Sequence, residues 1–109
     1  MPFVHGSRVD EQEEMNEQDS DDLVAVLLFL AKQGLVYTDF RPANVLRSEA
    51  DQRIRLIDYD DIKLVGASAV KDEYDIILGK GLGSHAFGRW VAEAISATTR
   101  AKALFKTQD

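Results

Sequence analysis

Nine consecutive positions, Leu23 to Ala31, carry no polar side chain, and this run constrains the fold more than any other feature. It is far short of the roughly 20 apolar residues that cross a bilayer, so it is expected to be a buried helix of a globular domain. Asp19 or Ser20 can cap its start, and the acidic side chains around it favour the positive end of a helix. Gly34, after Lys32 and Gln33, is a natural left-handed stop. A helix over 20–33 follows. Because the run has almost no polar break, it asks for burial on more than one side. A chain of 109 residues with 45% apolar side chains can build one modest core around it.

The segment before the helix has the opposite character. From Asp10 to Asp22, eight of thirteen residues are acidic, none is basic, and Met15 alone is apolar. Such a stretch gains little burial against its ordering entropy, so residues 1–19 are expected to be an acidic flexible tail, with residues 20–109 forming the domain. The formal charge of −6 argues against nucleic acid or anionic lipid as the main partner. The chain has no cysteine, which excludes disulfides and thiolate metal sites and is compatible with a reducing compartment. With no signal-like N-terminus, an intracellular, cytoplasmic location is expected.

After Gly34, Leu35 to Tyr37 reads as a short extended segment. Pro42 disfavours helix at Arg41, making Thr38 to Ala43 a loop. Val45-Leu46 and Arg53 to Leu56 read as two strands of a hairpin around a polar turn at 48–52, with Ile54 and Leu56 on one face and Arg53 and Arg55 on the other. Ile62 to Val65 is a candidate third strand, and Ala67 to Leu78 an irregular helix broken by Gly79, Gly81 and Gly83. From His85 to Phe105, Phe87, Val91, Ala94, Thr98 and Ala101 recur at helical spacing, with Ser84 as a candidate cap. The fold class is α+β: a buried helix, a β-hairpin and a C-terminal amphipathic helix.

The polar groups that could carry chemistry lie in Tyr37-Thr38-Asp39-Phe40-Arg41-Pro42-Ala43-Asn44 and in Leu56-Ile57-Asp58-Tyr59-Asp60. An Asp five residues before an Asn, with Pro between, then a second Asp after an apolar strand, resembles the catalytic core of the protein kinase-like phosphotransferase superfamily. The resemblance covers about Asp22 to Lys63, the central part of that family's C-terminal lobe. It implies that Asp39 orients an acceptor hydroxyl and takes its proton, and that Arg41 reaches phosphate charge. It also implies that Asn44 and Asp58 hold Mg²⁺ and so help bind ATP. Asp60 stands where the family has Gly and adds a candidate metal ligand, while Tyr37 stands at the family's loop His. Each of these side chains also has a plain role in turns and ion pairs.

The family's nucleotide lobe precedes its catalytic loop, but only 38 residues precede Asp39. Gly81 and Gly83, in a glycine-rich stretch over 79–89, offer a displaced nucleotide loop; the other reading is a linker followed by a packing helix. The resulting expectation is a truncated kinase-like interaction protein, a pseudokinase, that retains weak Mg²⁺-dependent phosphate or nucleotide binding. The apolar helix, short of covering surface, points to homo-oligomerisation or a protein partner. The rival is an ATP-dependent phosphotransferase completed by a second chain or by an unrecognised nucleotide-binding element.

Overall fold

The structure, a computed structural model, describes residues 6–10, 12–57 and 62–108, with side chains described for 8–10, 12–57 and 62–101. It is an α+β domain of three helices and two small antiparallel sheets. In chain order the elements are β1 (Gly6–Arg8), α1 (Glu17–Lys32), β2 (Leu35–Tyr37), β3 (Val45–Ser48), β4 (Ile54–Leu56), β5 (Ile62–Leu64), α2 (Val70–Lys80) and α3 (Ala86–Gln108).

Helix α1 begins three residues before the expected start. Asn16 caps it: its side chain accepts from the Asp19 amide (2.8 Å), and Asp19 accepts in return from the Asn16 amide (3.0 Å). This reciprocal box satisfies two amides that a helix start otherwise leaves open. Asp19 is therefore in the third helical position, and Ser20 serves the tertiary structure instead, accepting from the Trp90 indole at 3.1 Å. At the other end Gly34 adopts φ +76°, and its carbonyl accepts from the amides of Val65 and Gly66 at 2.9 and 3.0 Å. A β-carbon on Gly34 would lie 2.8 Å from the Gly66 α-carbon, so this close approach needs glycine as much as the left-handed turn does.

The hairpin forms as the alternation requires. β3 and β4 pair antiparallel with Val45 opposite Leu56 and Arg47 opposite Ile54. Ile54 and Leu56 are buried and Arg55 is exposed. β5 is the third strand expected over 62–65, and it pairs with β2, Tyr37 opposite Ile62. The two sheets are thus β1-β3-β4 and β2-β5.

Residues 6–10 and 12–19 depart from the expected tail. β1 adds to the hairpin edge, Gly6 opposite Ser48 and Arg8 opposite Leu46, and Val9 is buried with the core. The acidic block finds its counter-charges far along the chain. Arg47 grips Asp19 with two guanidinium nitrogens (2.8 and 2.9 Å) and also reaches Glu13 (2.9 Å). Asp22, 5% exposed, accepts from Arg53 (2.7 Å), from the Ile54 amide (3.0 Å) and from Gln18 (3.0 Å). Composition made this stretch look solvated; hydrogen-bonded ion pairs order it instead.

The core joins Leu23, Leu27, Leu30 and Ala31 of α1 to Val36, Tyr37, Val45, Leu56, Val70 and Tyr74, and to Phe87, Trp90, Val91 and Ile95 of α3. The apolar run of α1 is buried on one side only: Ala25 and Phe29 face solvent, Phe29 at 65% exposure. Burial on several sides would need covering layers that the described chain does not supply. A 3₁₀ turn over Ala67–Ala69 leads into α2, which continues through Gly79 to Lys80 and ends at Gly81 with φ +85°. His85, rather than Ser84, caps α3, its Nδ1 accepting from the Gly88 amide at 3.0 Å. Among the described residues, no helix is long and apolar enough to cross a membrane.

Candidate functional site

The loop between β2 and β3 is held from three sides. Tyr37, fully buried at the end of β2, donates its hydroxyl proton to the Ile57 carbonyl at 2.8 Å and packs edge-on against Phe40, with ring centroids 5.2 Å apart. Arg8 of β1 donates from Nε to the Ala43 carbonyl at 2.8 Å. The Ile57 amide donates to the Asn44 carbonyl at 2.9 Å, tying the end of β4 to the end of the loop. Arg41 is extended, as a residue before proline should be, and Pro42–Asn44 closes a 3₁₀ turn in which the Asn44 amide donates to the Arg41 carbonyl at 2.9 Å.

This backbone brings three of the expected side chains together. One carboxylate oxygen of Asp39, Oδ2, accepts from Arg41 (2.8 Å) and from the Asn44 amide nitrogen (2.9 Å). The same Asn44 nitrogen reaches the Asp39 carbonyl at 3.1 Å. Asn44 is 5% exposed, whereas the Arg41 side chain is largely in solvent. The pairing fixes the Asn44 amide so that its nitrogen is spent inside the loop. Among the described residues, no donor engages Asn44 Oδ1 or Asp39 Oδ1.

Two oxygen atoms at the loop are therefore left to accept a proton or to approach a cation. Neutral amide and carboxylate oxygens are the donor types Mg²⁺ prefers, so the described part of the set fits that ion. Asp58 and Asp60, the carboxylates expected to complete it, lie outside the described residues. Among those described, no group of three or more His, Cys, Asp or Glu is placed to hold a metal.

The glycines sit elsewhere. Gly81 ends α2, donating its amide to the Leu78 carbonyl at 3.1 Å, and meets the loop only across a cleft of about 420 Å³ that it shares with Thr38, Lys63 and Lys80. Lys63 is paired there with Glu73 at 3.2 Å. Gly83, at φ +90°, lies against the His85 ring, where a β-carbon would come within 2.9 Å of Nε2. The structure thus groups Asp39, Arg41 and Asn44 and puts Gly81 and Gly83 at the junction of α2 and α3.

Sequence reasoning missed Arg8, which anchors the loop from a three-residue edge strand. A strand that short carries too few positions for alternation to reveal it. Compared with protein-family models, with curated proteins and with solved structures, the chain matches none.

Proposed function

We propose that this chain is kinase-like, built like the central part of a kinase C-terminal lobe, that it binds phosphate groups at the 39–44 loop and that it acts chiefly by protein interaction. The observation that supports this most is the shared Asp39 carboxylate: Arg41 and Asn44 hold one oxygen, and no donor among the described residues engages the other. In this reading Arg41 leaves Asp39 to pair with a phosphate oxygen, a charge-assisted contact that its exposed position permits. Asp39, its Oδ2 still held by Asn44, then has Oδ1 to orient an acceptor hydroxyl and receive its proton. Asn44, immobilised by its bonds to Asp39, presents Oδ1 as a hard ligand, and Asp58, the residue after Ile57, supplies a carboxylate. The chemistry a bound Mg²⁺ supplies here is neutralisation of charge on phosphoryl oxygens.

The test is isothermal titration of the whole chain with Mg²⁺ and a nonhydrolysable ATP analogue. Binding that requires Mg²⁺, disappears in Asp58→Ala and weakens about tenfold in Arg41→Gln is expected, a loss of one charge-assisted contact. Absence of binding to the unaltered chain would reject the phosphate site. ATP turnover lost together in Asp39→Ala and Asp58→Ala would instead establish a working phosphotransferase.

A further inference from the structure

The solvent side of α1 is ordered along its length. Gln18, Asp21, Ala25, Phe29 and Lys32, spaced three or four residues apart, are all exposed and so form one stripe. From Asp21 onward it runs acid, small, large aromatic, base. Beside Phe29 opens a cleft of about 510 Å³ lined by Ala25, Val26, Phe29 and Leu30. A lone exposed apolar residue means little, but this one adjoins an apolar cleft of matching chemistry and is flanked by opposite charges.

That order is complementary to itself when reversed. If two such helices lie antiparallel, Asp21 of one comes opposite Lys32 of the other at both ends. In that register Phe29 of each falls within one residue of Ala25 of the other, a large side chain against a small one. In a parallel arrangement, Asp21 would face Asp21 and Lys32 would face Lys32. We propose that α1 is the surface through which two copies of this chain associate, antiparallel about a twofold axis, with each Phe29 seated in the cleft of the other copy. A twofold contact of this kind uses one patch twice and closes on itself, so it stops at a dimer. The inference rests on the interaction role proposed above and specifies its partner; it makes no use of the 39–44 loop, so the two can fail independently.

Sedimentation equilibrium of the whole chain across micromolar concentrations provides the test, with circular dichroism confirming that each variant is folded. A reversible dimer is expected, weakened at least about tenfold by Phe29→Ala. Asp21→Lys and Lys32→Asp should each weaken it alone, because both end pairs become repulsive, and an equimolar mixture of the two variants should dimerise again. A chain that stays monomeric overturns the proposal. So does a dimer indifferent to Phe29→Ala, or one that the mixture of charge variants does not restore. Nucleotide titration of the same samples reports separately on the loop.

Discussion

Tyr74 is fully buried on α2, and its hydroxyl has no hydrogen-bond partner among the described residues. A buried donor without an acceptor forfeits its bonds to water and gains nothing in exchange, a cost of about 1–3 kcal/mol. Burial also pushes the phenol well above the ordinary tyrosine range. The unfolded chain releases this proton above about pH 10 while the folded one retains it, so folding stability falls as pH rises past that value. Tyr74→Phe should therefore leave stability at neutral pH unchanged or raise it by about 1 kcal/mol, and should shrink the alkaline loss. Urea denaturation at neutral and alkaline pH measures both. A marked loss of stability in the variant would mean that the hydroxyl is bonded after all. Nothing at position 74 itself signals this cost, because a tyrosine in a helical pattern usually finds a partner for its hydroxyl.

Between elements, two ion pairs fasten α1 to the hairpin. Burial by itself would raise the Asp19 carboxyl, but the hydrogen bonds from Arg47 and from the Asn16 amide outweigh it and hold the group below the usual carboxylate range. Asp22 follows the same pattern: burial opposes, while Arg53, the Ile54 amide and Gln18 prevail. Both carboxyls bind protons more weakly folded than unfolded. Their contribution is complete above about pH 4 and is lost as pH falls through the lowered folded values. Arg47→Met should cost about 3 kcal/mol, since it leaves Asp19 charged and nearly buried without its partner. Arg47→Met combined with Asp19→Asn should recover most of that loss, because Asn keeps the cap and removes the charge. Denaturant titration of the single and double variants checks the pair, and additive losses would show that the two residues are not coupled. The hairpin and helix were each readable from local pattern, but their charged clasp was not. Asp19 and Arg47 are 28 residues apart, and no periodicity links them.

For the molecule as a whole, the N-terminal segment separates what composition suggests from what folding does with it. If it were solvated, deleting residues 1–12 would cost nothing. With β1 on the sheet edge, Val9 in the core and Arg8 bonded to Ala43, the deletion should cost about 2 kcal/mol or more and lower the urea midpoint. An unchanged midpoint would show that these contacts contribute nothing in solution. The α+β class, the hairpin and the order of the three helices were all legible in the chain. So was the spacing that groups Asp39, Arg41 and Asn44, because one short loop closed by Pro42 confines them. These features depend on side chains within a turn or two of each other. The pairing of β2 with β5, the addition of β1 and the one-sided burial of α1 depend instead on segments remote in sequence competing for the same surfaces. Local patterns state which surface is apolar or charged; which partner covers it is settled only when the whole chain packs.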